Sequence, residues 1–110
     1  MICVEIPIRT VSVLNTREHH MARARRAKAH RQAAHWSLVT LKKPALPCTV
    51  TLTRIAPRPL DGDNNQAAMK ACRDGVADWL GVDDRDPRVT WAYGQRRGAP
   101  KHYAVEVAIQ

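Results

Sequence analysis

The chain has 110 residues and a formal net charge of +8, a length that supports one hydrophobic core and a single domain over residues 1–110 rather than two domains. Its three cysteines, Cys3, Cys48 and Cys72, are odd in number and lack Cys-x-x-Cys spacing, which argues against a disulfide framework and a zinc ribbon and leaves small buried hydrophobes as their expected role. No segment approaches the roughly 18 apolar residues of a membrane span and no apolar run follows a basic start, so the expected setting is the reducing cytoplasm with no membrane partner.

Residues 2–14 are rich in β-branched side chains and interrupted by Pro7, which predicts an edge strand or two short extended pieces. Asn15-Thr16 with Glu18 close behind predicts a helix start, and residues 17–36, dominated by Ala, Arg and His, predict a long helix. Ala22, Ala29, Ala33 and Trp36 fall near one face of it, while Arg23, Arg26, Lys28, His30 and Arg31 spread over the remainder. Residues 1–60 hold eleven Lys and Arg against two Glu, a balance of +9, whereas residues 61–110 hold seven against eight acids, a balance of −1. The N-terminal half is therefore a candidate polyanion-binding surface. An Ala-rich basic helix without a Leu and Phe face does not suit a membrane interface, so nucleic acid is the expected partner. Arg23, Arg25, Arg26, Lys28 and Arg31 are its candidate phosphate contacts, reading no bases; the alternative is an ordinary solvated helix face. His19, His20 and His35 are irregularly spaced and read as surface histidines.

Lys42-Lys43-Pro44 and Pro47 predict a loop. Residues 48–56 alternate threonine with apolar residues, the period of a strand, and Pro57 and Pro59 end it. Residues 66–80 predict a helix with Ala68, Cys72, Val76 and Trp79 or Leu80 inward, and with Asp63, Lys70 and Asp74 along another face. Gly81 is its expected stop. Residues 88–94 and 102–109 are two further strand candidates. The intervening Gly94–His102 segment is expected as a hairpin loop presenting Arg96, Arg97 and Lys101, either as a second phosphate contact or for solubility.

The acidic residues crowd into the segment that follows the strand: Leu60-Asp61-Gly62-Asp63-Asn64, then Lys70 and Asp74, then Asp83-Asp84. Like charges this close need a counter-ion. In an extended or turn segment, Asp61 and Asp63 project to one side across the small Gly62 and can offer carboxylates to one divalent cation. Magnesium takes oxygen ligands and commonly uses one or two carboxylates with waters and substrate phosphates. A third carboxylate from Asp83 or Asp84 would complete the cluster. The competing reading of Asp-x-Asp-Asn is a helix-capping turn, and that of Lys70 is an ion pair with Asp74 one turn on.

This order of strand, Asp-x-Asp-Asn, Lys70 with Asp74, Asp83-Asp84 and two strands, running from about Cys48 to Ile109, resembles the RusA-type Holliday junction resolvases, in particular the short phage and prophage versions. The resemblance implies a homodimeric, magnesium-dependent endonuclease, with manganese as a substitute ion, that cuts four-way DNA junctions by paired incisions and needs no small-molecule cofactor. It implies Asp61, Asp63 and Asp84 as the essential carboxylates, Asp83 as a neighbouring metal ligand, and Lys70 as the catalytic lysine. The fold expected with it is α+β, a mixed sheet of about four strands with two helices. The chain departs from the family in a longer interval between Asn64 and Lys70, in Asn65 where an apolar residue is common, and in Asp86, a rival for the third ligand. Two other readings stand beside it: a non-catalytic basic DNA- or RNA-binding module with a vestigial acidic cluster, and an Asp-x-Asp nucleotide-sugar transferase, for which the chain has no room for a sugar-donor domain.

Overall fold

The structure is a computed structural model that describes residues 1–12 and 19–110. Among these residues the elements follow in the order β1 (Ile2–Ile6), α1 (His20–Leu38), β2 (Cys48–Ala56), α2 (Gly62–Ala68), α3 (Lys70–Leu80), β3 (Val89–Arg97) and β4 (Ala104–Ile109). The strands form one mixed sheet in the order β1-β4-β2-β3, with β2 and β3 parallel and the other neighbours antiparallel. The expected α+β class and four-stranded mixed sheet are present, with three helices rather than two. No helix among the described residues is long and apolar enough to cross a membrane.

The strand predicted over residues 48–56 has those bounds. Val50 and Leu52 are fully buried toward the helices, and Thr49, Thr51 and Thr53 point to the other face. The first strand is shorter than the β-branched run allows, because Pro7 follows Ile6 and supplies no amide to the ladder. It is an edge strand, paired only with β4. Cys48 and Cys72 are buried as expected, but Cys3 lies exposed on that edge and its thiol donates to Glu106 Oε1 (2.9 Å).

The helix start expected at Asn15, Thr16 and Glu18, and Arg17 with them, lies outside the described residues. The described helix begins after His19, whose Nδ1 accepts from Met21 N (3.2 Å). Its buried side chains are Ala34 and Leu38, whereas Ala29 is exposed and Trp36 is 66% exposed. Of the expected stripe Ala33 does pack, half-buried, against the core, but the fully buried line lies one residue further on and leaves Trp36 outside. Ala34 and Leu38 are four apart and share a face, while Trp36, two residues from each, falls on the opposite side. That face is set by Gly75 of α3, where a Cβ would run into the Arg31 carbonyl oxygen and come within 2.8 Å of Ala34 Cβ. Beside this contact Arg31 donates twice to Asp78 (2.6 and 2.7 Å), holding the Asp78 carboxyl below the usual carboxylate range.

The helix expected over residues 66–80 is two helices. Met69 (φ −104°, ψ 4°) interrupts it and is completely buried, so α2 turns toward β3 while α3 packs on α1. Ala68, Cys72, Val76, Trp79 and Leu80 are all buried, and Gly81 at φ 75° closes the helix in the left-handed conformation that glycine accepts without strain. The expected hairpin between β3 and β4 is absent because β2 lies between them. Arg96 and Arg97 are the last residues of β3, and the chain from Gly98 to Tyr103 passes over Ile55 of β2, whose Cγ2 lies 3.0 Å from where a Gly98 Cβ would stand.

Candidate active site

The acidic segment leaves the carboxyl end of β2 and becomes the start of α2. Asp61 is the N-cap: its Oδ1 accepts from Asn64 N (3.0 Å), the capping turn that Asp-x-Asp-Asn allowed. A carboxylate has about four acceptor positions, so capping leaves others open. Asp63 stands exposed in the first turn. Asn64 and Asn65, both buried, anchor this turn on two sides: Asn64 Oδ1 accepts from Ser12 Oγ (2.9 Å), and Asn65 Nδ2 donates to the Gly94 carbonyl in β3 (3.1 Å). That anchoring role explains Asn65 where an apolar residue was expected. Gly62 is not required by crowding, since a Cβ there meets nothing within 4 Å.

Lys70 opens α3 with its Nζ 3.2 Å from Asp74 Oδ1 and 3.8 Å from Asp84 Oδ2. Asp84 reaches it because Gly81 reverses the chain at the end of α3. Arg73, which the sequence did not single out, holds this return in place. Its Nη2 donates to the Asp84 carbonyl (2.7 Å), its Nη1 donates to Tyr93 Oη (2.8 Å), and its guanidinium lies 4.7 Å from the centre of the Trp91 ring. The only sequence signal was a basic residue one turn beyond Lys70. Lys70, Arg73, Asp84 and Tyr93 line a hollow of about 320 Å³ with Gln66 and Arg85. Gln66 lies one helical turn after Asp63, but neither Asp61 nor Asp63 lines this hollow.

The second acidic cluster divides by role. Asp83 accepts from Arg85 N (2.8 Å), which holds its carboxyl below the ordinary value. Asp86 accepts from Arg88 N (2.9 Å) and from the Arg88 guanidinium (2.7 Å), which draw its pKa to about 2. Both carboxylates shape the turn. Asp84 alone of the three faces Lys70 and Arg73.

The donor chemistry suits magnesium, because Asp61 and Asp63 offer only oxygen and the ion commonly completes its octahedron with waters and phosphate oxygens. Among the described residues no group of three or more His, Cys, Asp or Glu side chains converges to hold an ion. Asp61, Asp63, Asp83 and Asp84, expected as one cluster, are instead spread out: Asp61 caps α2, Asp63 stands exposed in its first turn, Asp83 accepts from Arg85 N, and Asp84 faces two cations.

The candidate phosphate contacts fall into two sets. Arg23, Arg25 and Lys28 are exposed along α1, with Arg26 half-buried, and Arg97, the last residue of β3, and Lys101 beyond it are exposed. Arg31 is occupied by Asp78, and Arg96 is held by Glu106 (2.6 Å) and Glu5 (3.8 Å). No protein-family model matches the chain, and no curated protein matches it.

Proposed function

We propose that this chain is a magnesium-dependent endonuclease of the RusA type, with manganese as a substitute ion, acting in the cytoplasm as a homodimer on four-way DNA junctions. The observation that carries the reading is the return of Asp84 to within 3.8 Å of Lys70 Nζ, beside a hollow that is also lined by Gln66 of the helix that Asp61 caps. Cation and carboxylates beside one exposed hollow are what a phosphodiester needs for hydrolysis.

Asp61 and Asp63 offer the oxygen donors on a turn that Asn64 and Asn65 keep from moving. A magnesium ion held by them would supply an activated water and charge neutralisation at the scissile phosphate. Lys70, whose side chain is 66% exposed, presents its ammonium to the non-bridging oxygens, where negative charge grows in the transition state. Asp74 and Asp84 position that ammonium, and Arg73 positions Asp84. Two coordinated cuts in a two-fold-symmetric junction call for two copies of the site. The sheet face that carries Thr49, Thr51, Thr53, Ala92 and Ala108, bordered by the Glu5, Glu106 and Arg96 ion pairs, is the face we propose for the second copy.

A non-catalytic DNA- or RNA-binding module is favoured by one observation, the lack of a three-acid group among the described residues. Cleavage of a four-way junction, a Y-fork and a linear duplex, each with magnesium and with chelator, separates the two. The enzyme cuts the four-way junction symmetrically and only with magnesium; a module binds equally well with chelator and cuts nothing.

The helix α1 carries its own prediction. Arg25→Ala with Lys28→Ala is expected to weaken binding to every DNA sequence about equally and to reduce the slope of log K against log salt by up to about one unit per lost contact. Arg31 is left out because its replacement also removes the Asp78 pair. Unchanged binding and slope would mean that this face of α1 meets something other than DNA.

A further inference from the structure

We infer that the hollow at the carboxyl ends of β2 and β3 is a phosphate-binding site built on the buried guanidinium of Arg54, and that it takes a backbone phosphate of the same DNA strand that enters the acidic site. The inference rests on the proposed nuclease reading for the identity of its ligand, and on its own geometry for the site.

Arg54 is 6% exposed, and no ion pair joins it to any carboxylate among the described residues. Its Nε donates to Thr10 Oγ1 (2.8 Å) and its Nη1 to the Arg58 carbonyl (2.8 Å). Two of the five guanidinium donors are thereby used. An unpaired charge removed from water is expensive, and proteins keep one where a counter-charge arrives. The group does not escape by neutralising, since arginine remains protonated at any ordinary pH.

The hollow that Arg54 lines measures about 390 Å³, and Arg58, Arg96 and Arg97 line it too, with no acidic side chain among the described residues of its walls. Arg96 is already paired with Glu106, so Arg54, Arg58 and Arg97 carry the unspent positive charge. Guanidinium groups match phosphate oxygens in planar two-point geometry.

The wall is also held in shape without a ligand. The Gln95 side chain accepts from Leu60 N (2.9 Å) and donates to Leu60 O (2.6 Å), pinning the chain between Arg58 and Asp61 to β3. Three residues of extended chain reach at most about 11 Å. The Arg58 and Asp61 backbones therefore lie within about that distance of each other, so the wall of this hollow and the acidic turn are neighbours along the chain.

The test uses inorganic phosphate first and DNA second, both with chelator so that cleavage plays no part. Arg58→Ala with Arg97→Ala removes two wall charges while keeping the Arg58 backbone carbonyl that holds Arg54; Arg54→Gln removes the buried charge itself. Phosphate, compared with chloride at equal ionic strength, is expected to raise the melting temperature of the native chain and of Arg25→Ala/Lys28→Ala. It is expected to lose that effect in Arg58→Ala/Arg97→Ala and in any folded Arg54→Gln. With a labelled duplex, the double wall variant is expected to reduce the salt slope by about two units. A phosphate shift that survives in the double wall variant, or no shift in the native chain, overturns the site. A shift that depends on Arg58 and Arg97 but an unchanged DNA slope keeps an anion site and overturns its DNA ligand. Absence of cleavage in the nuclease assay bears on the acidic site and leaves these outcomes as they are.

Discussion

Gly75→Ala is expected to lower the melting temperature by roughly 5–20 °C, the reverse of what the same change does on an exposed helix. In a solvated helix interior, alanine is favoured over glycine by about 1 kcal/mol. Here the added Cβ would meet the Arg31 carbonyl oxygen and lie 2.8 Å from Ala34 Cβ. The first of these is backbone and cannot rotate away, so α1 and α3 must separate. Overpacking of this kind costs about 1–3 kcal/mol, and each kcal/mol moves the midpoint of a domain of this size by about 4–8 °C. Separation also lengthens the Arg31–Asp78 hydrogen bonds and lifts α1 from the face that buries Ala34 and Leu38. Gly62→Ala is the matched control: a Cβ there meets nothing within 4 Å, so its midpoint should stay or rise. Thermal unfolding of the two variants decides the matter, and a Gly75→Ala midpoint at or above the native one would mean that the helices do not meet at Gly75.

The parts of this fold that were legible in the sequence are those whose pattern is local. The threonine alternation of residues 48–56 specifies both the strand and its inward face, because a period of two has only two registers. Gly81 marked a helix end for an equally local reason. Three features were hidden because their cause lies elsewhere in the chain. Met69 breaks the helical run although methionine is a good helix former, since burying it and aiming Asn65 at β3 outweigh a continued helix. β3 and β4 looked like a hairpin because they are consecutive, and only the parallel pairing of β2 with β3 across two helices separates them. The inward face of α1 was misplaced because alanine is compatible with either side, so Gly75 of another helix made the choice. At the site, the capping role of Asp61 was available as an alternative from Asp-x-Asp-Asn. Arg73 was not, since its partners are a ring, a phenol and a carbonyl that the chain reaches only after folding.

The same geometry ranks the acidic residues by the activity each should cost when made neutral. Asp63→Asn is expected to reduce magnesium-dependent cleavage of a four-way junction by at least about a hundredfold, the scale of losing one group that stabilises charge in the transition state, while DNA binding holds or strengthens. Asparagine keeps the shape and one oxygen of Asp63 but removes a negative charge that both draws the cation and repels phosphate. Within the second cluster the loss should fall on Asp84. Its carboxylate lies 3.8 Å from Lys70 Nζ and 4.0 Å from Arg73 Nε, so neutralising it removes the one negative charge that faces both cations, although Asp74 still holds Lys70 and the Asp84 carbonyl still holds Arg73. Asp83 and Asp86 spend their carboxylates on the backbone amides of Arg85 and Arg88, and asparagine accepts those same hydrogen bonds. Asp83→Asn and Asp86→Asn should therefore cut within a few-fold of the native rate. Rates measured over a magnesium titration add a second distinction. Loss of a direct ligand at Asp63 raises the magnesium requirement, whereas Asp84→Asn, acting through Lys70, lowers the rate even at saturating ion. A normal rate for Asp84→Asn with an inactive Asp86→Asn would move the functional carboxylate two residues along the turn. An unchanged magnesium requirement and rate for Asp63→Asn would remove Asp63 from the metal site and leave Asp61, the N-cap of α2, as the one carboxylate of that turn able to hold the ion.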